Sequence, residues 1–107
     1  MAESPYHNLF AAGWSDVRRE FDMTDAEPEQ VIYASYEYEN YSGYADVLYR
    51  NGESYFYASG SHCSCYGLEG QWEPEEVSRE ALLGQVDRAN YGFFKDKADL
   101  IRAAVAA

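Results

Sequence analysis

Basic residues are scarce in this chain, and their scarcity excludes several classes of partner. Only 8 Lys and Arg stand against 19 Asp and Glu, which gives a formal net charge of −11. The middle of the chain, residues 20–77, has 13 Asp and Glu against a single Arg, so it accounts for all of the excess acid. The negative electrostatic field of these acids repels phosphate backbones and anionic membranes. This repulsion argues against direct nucleic-acid binding and against membrane attachment. We therefore expect a basic protein as the partner, although the same acids also keep a small protein soluble.

Long apolar runs are absent as well. None approaches the roughly 20 residues that cross a bilayer. The first residues, MAESPYHNLF, lack the basic start and apolar stretch of a secretory signal. These absences predict a cytoplasmic protein. A length of 107 residues with 47% apolar composition suits one domain over 1–107, as a monomer or a small homo-oligomer.

The chain has two cysteines, Cys63 and Cys65, and one residue separates them. A disulfide across that gap would close too small a ring to be unstrained, so we expect reduced thiols. His62 precedes them and suggests a zinc site, with these three residues as candidate ligands. However, structural zinc sites combine two separated ligand pairs, and the second histidine is the distant His7. Buried structural cysteines are the favoured interpretation, and a small metal-binding or redox-responsive protein is the alternative.

Catalytic motifs are missing too. The sequence contains no phosphate-binding glycine loop, no metalloprotease signature and no serine-nucleophile elbow. A nucleophilic cysteine is disfavoured because neighbouring residues of an extended segment, such as His62 and Cys63, point to opposite faces. The surrounding acids would also raise the pKa of a thiol. We expect no enzymatic activity and no cofactor.

Aromatic residues are abundant, and they define the predicted sheet. The segment 31–59 is rich in tyrosine and β-branched residues, and two turn signals divide it into strands near 31–38, 44–50 and 53–59. Asn51-Gly52 predicts a tight hairpin turn, because both residues tolerate positive φ. We expect a three-stranded antiparallel meander.

Helical spacing of apolar residues flanks this sheet on both sides. Residues 8–21 predict an N-terminal helix, which could begin nearer Ser15. Ser78 is a candidate N-cap for a helix over 79–89, and a last helix is expected from about Asp96 through the alanine-rich end. The fold class is therefore α+β, with one N-terminal and two C-terminal helices packed on the meander.

Alternation along the strands predicts two different sheet faces. One holds Ile32, Ala34, Tyr36, Ala45, Val47, Tyr49, Phe56 and Ala58, and is expected to be core. The other mixes tyrosines with carboxylates and includes Val31 and Leu48. This second face fits either a half-covered sheet with hydroxyls reaching water or an acidic recognition surface. The candidate partner-binding residues are Tyr33, Glu37, Glu39, Tyr44, Asp46, Glu53, Tyr55, Tyr57, Glu69, Glu73, Glu75 and Glu76.

The run of residues 38–83 resembles a family of small uncharacterised proteins from bacteriophages and bacterial genomes. Its most distinctive part is HCSCYGLEGQWEPEE, residues 62–76, with the preceding hairpin and the following helix. The resemblance implies no catalytic residue. It implies a context, since small acidic phage proteins often bind and modulate a host protein, which would place the chain in the host cytoplasm.

The leading hypothesis is thus a non-enzymatic acidic binding module. Its carboxylates would occupy the lysines and arginines of a host nucleic-acid-binding protein by nucleic-acid mimicry, as an anti-CRISPR or other anti-defence inhibitor would. A structural or virion-associated protein that assembles through its sheet is a further alternative.

Overall fold

The computed structural model describes residues 4–39, 42–62 and 67–106. In chain order they form β1 (Tyr6–Asn8), α1 (Trp14–Phe21), β2 (Gln30–Glu39), β3 (Ser42–Asn51), β4 (Ser54–His62), β5 (Glu75–Val77), α2 (Arg79–Arg88), α3 (Phe93–Asp96) and α4 (Ala98–Ala106). The expected α+β class is confirmed. Within the described ranges, no helix is long and apolar enough to cross a membrane.

The sheet has five strands in the order β1-β2-β3-β4-β5, so the predicted number of three was too small. β2, β3, β4 and β5 pair antiparallel in succession, whereas β1 runs parallel to β2. The two unpredicted strands lie at the edges and have three residues each. Three residues are too few to show an alternating pattern, which is why the sequence did not indicate them.

α1 begins at Trp14 rather than at residue 8. Asn8 ends β1 with a φ of 57°, and Gly13 has a φ of 114°, so both lie outside the helical region. The intervening residues form tight turns, in which Phe10 and Gly13 donate to the carbonyls of His7 and Phe10 at 3.0 Å. Of the apolar residues predicted to form one stripe, Trp14, Val17 and Phe21 are buried within the shorter helix and Phe10 is buried in the turns before it, whereas Leu9 is exposed.

The β3–β4 hairpin turns at Gly52 and Glu53, because Asn51 pairs with Ser54. Gly52 has a φ of 62°, while Asn51 stays in the strand without positive φ. The prediction that Asn51 shares the positive-φ turn was therefore wrong. The shift places Glu53 at the exposed tip of the hairpin instead of within a strand.

A β-bulge between Val31 and Tyr33 exchanges the faces of two residues. Val31 packs with the core on the α1 side, and Ile32 packs with the core on the opposite side, the reverse of the prediction. A bulge inserts one residue and thereby inverts the alternation before it. Beyond the bulge, the first face carries Ala34, Tyr36, Ala45, Val47 and Tyr49, and the second face carries Tyr33, Ser35, Glu37, Asp46 and Leu48.

The first face is covered by α1 and by the segment before β5. Phe10, Val17, Phe21 and Leu68 are essentially inaccessible to solvent on this side. The rings of Trp14 and Trp72 meet edge to face at 5.7 Å. Both indoles donate 2.8 Å hydrogen bonds to Asp25, Trp14 to its carbonyl and Trp72 to its carboxylate. Asp25 thus fixes two aromatic anchors of the first core.

The C-terminal helices cover part of the second face. Leu82 and Val86 of α2, with Ile101 and Val105 of α4, pack in one core with Ile32, Leu48 and Tyr55. α2 begins as predicted, since the Ser78 hydroxyl accepts a 3.1 Å hydrogen bond from the Ala81 amide. Farther along the same face, Glu37, Tyr44, Ser59 and Ser61 are exposed. The described helices therefore bury one half of the second face and leave the other half open.

Candidate functional site

A cleft of about 800 Å³ lies on the open half of the second face, between the sheet and α3. Its floor comes from β2, β3 and β4, and its wall comes from α3 and the residues beside it. Five of the predicted partner-binding residues line it: Tyr33, Glu37, Tyr44, Asp46 and Tyr57. The remaining lining residues are Ser35, Ala45, Ser59, Gly60, Ser61, Gln71, Gly92, Phe93, Asp96 and Lys97.

Strand register arranges the floor of the cleft in rows. In the central row, Asp46 pairs with Ser35 on β2 and with Ser59 on β4. In the outer row, Tyr44 lies between Glu37 and Ser61. Serine side chains are short, so the central row forms a depression whose middle residue is a carboxylate.

Asp46 is only partly accessible, and it has one hydrogen-bond donor among the described residues. The hydroxyl of Tyr57 donates to its Oδ1. Burial raises the pKa of Asp46 above its ordinary value; the Tyr57 hydrogen bond opposes that shift, and the charge of Glu37 adds to it. None of the ion pairs formed by the described residues involves Asp46. A partly desolvated carboxylate without a cation is unfavourable, which makes it a receptive group for a cationic ligand.

Glu37 and Tyr44 form the outer lip of the cleft. Tyr44 is 53% exposed. The hydrogen bond to the Glu37 carboxylate is the main cause that raises the pKa of the Tyr44 hydroxyl, followed by the charge of Glu37. Because Tyr44 pairs with Glu37 across the strands, its ring is presented beside a carboxylate at the mouth of the cleft.

α3 supplies the wall, and sequence reasoning did not find it. Phe93 stacks on Tyr57 at 5.3 Å, and the Lys97 ammonium lies 4.8 Å from the centre of the Tyr33 ring. Asp96 adds a third carboxylate to the lining. The sequence marked residues 90–94 only as an interruption between helices, because nothing local indicates which part of the sheet they contact.

Two tyrosines of the second face are buried, although one of them, Tyr33, still contributes to the lining of the cleft. Tyr33 and Tyr55 are 9% and 7% exposed, since α3 and the helices that flank it pack over them. Tyr57 is half-buried, and burial is the main cause that raises its pKa, with the Asp46 hydrogen bond next. One half of this face therefore belongs to the second core, and the other half lines the cleft.

The other predicted acids are distributed around the molecule. Glu53 is at the β3–β4 turn, seven residues after Asp46 and beyond the end of β3 at Asn51, or roughly 20 Å away at strand rise. Glu75 and Glu76 lie on the edge strand β5, and Glu73 precedes it. Glu69 lies in the loop after residue 66, where its own backbone amide and then that of Gly67 lower the pKa of its carboxyl. Glu39 ends β2 beyond the lip, two positions after Glu37.

The metal prediction concerns residues that are described only in part. His62 ends β4 on the first face, where the Tyr36 hydroxyl lies 2.5 Å from its Nε2 and the Tyr38 ring lies 5.3 Å away. Cys63 and Cys65 lie outside the described residues. Within 4–39, 42–62 and 67–106, no group of three or more His, Cys, Asp or Glu side chains could hold a metal ion. The side chain of His62 is on the face opposite the cleft, so the two features are separate.

The cleft combines three kinds of group that bind organic cations. Carboxylates supply charge, aromatic ring faces attract cations through their quadrupoles, and hydroxyls accept hydrogen bonds. All three line the cleft together with Asp46, and the Lys97 ammonium lies on its wall. The arrangement suits a ligand that carries positive charge on a flat or partly apolar group.

Comparison of the chain with known protein families, with curated proteins and with solved structures finds no match.

Proposed function

We propose that this protein is a non-enzymatic acidic binding module that occupies a basic, nucleic-acid-binding surface of another protein. The observation that supports this most directly is the open cleft of about 800 Å³, in which three carboxylates and several aromatic rings converge. Its volume lies within the range of roughly 300 to 1,000 Å³ that is common for binding pockets.

Charge outside the cleft supports the same assignment. The chain carries a net charge of −11, and Glu39, Glu69, Glu73 and Glu75 are exposed acids beyond the cleft. A negatively charged surface attracts a positively charged partner over distances of about 10 Å at 0.1 M salt, and this attraction speeds association. The same surface competes with nucleic acid for the partner's lysines and arginines.

The resemblance to small phage proteins adds the biological setting to this proposal. An acidic module that blocks a nucleic-acid-binding surface would inhibit a host defence complex, as an anti-CRISPR or related inhibitor does. The protein would then act in the host cytoplasm, by occupancy alone and without a cofactor.

Affinity capture from a bacterial host lysate tests the proposal. We expect the captured proteins to be nucleic-acid-binding proteins, to be displaced by added duplex DNA, and to elute as salt rises from about 50 to about 300 mM, because screening weakens charge pairing. Capture that resists both DNA and salt would contradict the mechanism.

A matched pair of variants identifies the surface used. Glu37→Gln removes one charge at the lip of the cleft, and Glu53→Gln removes one at the opposite end of the sheet. We expect weaker capture with the first variant and nearly unchanged capture with the second. Equal effects would show that total charge, and not the cleft, determines binding.

A further inference from the structure

The cleft has a more specific chemistry than general acidity. The central row of its floor places Asp46 between two serines, so the carboxylate lies at the bottom of a depression rather than on a convex surface. Ser35 is itself 6% exposed, and its hydroxyl accepts a 2.6 Å hydrogen bond from the Asn8 amide. This hydrogen bond therefore holds the Ser35 side chain, the β2 member of the row, in place without a ligand.

One oxygen of Asp46 is available for a ligand. Oδ1 accepts the Tyr57 hydrogen bond, and no described residue donates to Oδ2. Every fully buried side-chain oxygen or nitrogen among the described residues has a partner. Oδ2 is therefore not fully buried, and Asp46 lines the cleft.

Aromatic rings line the same cleft as this carboxylate. Phe93 and Tyr57 stack on one side at 5.3 Å, and the exposed ring of Tyr44 stands in the outer row beside Glu37. A planar cation gains from such rings by stacking and by cation–π attraction, whereas a compact ammonium gains less. Guanidinium is also less strongly hydrated than ammonium, so it loses less when it enters a partly enclosed site.

We propose that the cleft is a receptor for a single arginine side chain of a protein partner, with its guanidinium on Asp46 and its plane against the aromatic wall. The proposal rests on the proposed function and identifies the group that the cleft recognises. One guanidinium donates to Oδ2 of Asp46, and its remaining N–H groups face the Ser59 and Ser61 hydroxyls and the Glu37 carboxylate. The volume leaves room for the backbone that flanks the arginine.

Short peptides test this directly. Acetyl-Gly-Arg-Gly-amide, the same peptide with citrulline, and the same peptide with lysine are titrated into the full chain while backbone amide shifts are recorded by NMR. We expect the arginine peptide to shift the amide signals of residues 35, 46 and 59. The citrulline peptide should bind at least about tenfold more weakly, because citrulline has nearly the shape of arginine but no charge. Lysine should bind several-fold weaker than arginine. Equal affinity for citrulline, or shifts confined to other surfaces, would overturn the proposal.

Three variants locate the site. Asp46→Asn keeps an acceptor for Tyr57 and removes the charge, and we expect a loss of about tenfold or more in affinity for the arginine peptide. Ser59→Leu fills the depression without changing charge and should abolish binding. Glu53→Gln removes a charge from the far turn and should change affinity less than about twofold, since that charge is screened over roughly 20 Å. Unchanged binding by Asp46→Asn or by Ser59→Leu would refute the arginine site.

The two proposals fail in different ways. Arginine-peptide binding without capture of a nucleic-acid-binding protein would retain the site and reject the proposed function. Capture that persists in Asp46→Asn and Ser59→Leu would retain the function and reject the arginine site.

Discussion

Asp46 shows how a single residue can oppose stability and favour binding. Its carboxylate lies in the middle strand of the sheet, where burial raises its pKa and where, of the described residues, Tyr57 alone donates to it. A hydrophobic or neutral residue at this position would avoid the desolvation cost. A carboxylate in this unfavourable position is consistent with the proposed site, in which a cationic ligand would compensate its charge.

This cost predicts a pH-dependent difference between wild type and Asp46→Asn. An acid whose folded pKa is raised binds more protons in the folded state than in the unfolded state, so its contribution to stability falls as pH rises. This contribution begins to fall near the pKa of aspartate in the unfolded chain, about 3.9, and stops falling above the raised pKa of Asp46 in the folded state. The free energies of unfolding should therefore be nearly equal at the acid end, and the variant should become the more stable protein towards neutral pH.

Denaturant unfolding of both proteins at a series of pH values measures this difference. A difference that does not change with pH, or a variant that loses stability as pH rises, would show that the Tyr57 hydrogen bond outweighs burial at Asp46.

At the scale of single residues, alternation along the predicted strands assigned most residues of the cleft floor to one sheet face. Glu37, Tyr44 and Asp46 were assigned together by alternation, and the structure brings them together. The serines between them carried no signal, because a small polar residue on a strand is typical of any solvated face. Phe93 and Asp96 could not be assigned, since their contacts depend on where the chain returns after α2.

At the scale of elements, the edge of β4 is completed by a side chain. β5 pairs only with Tyr55, Phe56 and Tyr57. Farther along, Gln71 acts as a substitute strand: its Oε1 accepts from the Ser61 amide at 2.9 Å, and its Nε2 donates to the Ser61 carbonyl at 2.9 Å and to the Gly67 carbonyl at 3.0 Å. The primary amide reproduces the donor and acceptor of a backbone peptide, so it satisfies a strand edge that could otherwise pair with another chain.

Gln71→Ala should therefore expose this edge. We expect faster hydrogen exchange at the Ser61 amide, a loss of about 1 to 2 kcal/mol in unfolding free energy, and more self-association at high concentration. Gln85→Ala is the matched control, because Gln85 lies on α2 and no side-chain hydrogen bond of it is found among the described residues. Unchanged exchange at Ser61 in Gln71→Ala would mean that the edge is protected in another way.

Element lengths explain what the sequence could not indicate about the sheet. The three long strands have nine or ten residues each and were found, with ends displaced by up to three residues. β1 and β5 have three residues, and each exists because a long neighbour offers unpaired backbone groups. Such strands are formed by tertiary pairing and carry no periodic pattern of their own.

At the scale of the whole molecule, clusters of aromatic rings pack within or against both cores. Trp14, Tyr49 and Trp72 meet on the first face, and Tyr57, Phe93 and Phe94 meet on the second. Tyrosine lets a small domain bury a large ring while its hydroxyl reaches a partner. Tyr6 does so with Glu27 at 2.6 Å, and Tyr57 does so with Asp46.

These tyrosines predict how the protein responds to alkali. Burial is the largest cause that raises the pKa of Tyr6, Tyr36, Tyr49 and Tyr57, and the Glu37 hydrogen bond is the largest at Tyr44. In the unfolded chain a tyrosine ionises near pH 10. Above that pH the folded state binds more protons than the unfolded state, so the free energy of unfolding falls as pH rises. In a pH titration followed by ultraviolet absorbance, tyrosinate should form at higher pH in the native protein than in the protein unfolded in urea. Two superimposable titration curves would contradict the prediction.

Tyr57→Phe removes one of these hydroxyls and should reduce the loss of unfolding free energy at alkaline pH relative to wild type. Tyr91→Phe is the control for removing a surface hydroxyl, because Tyr91 is 87% exposed.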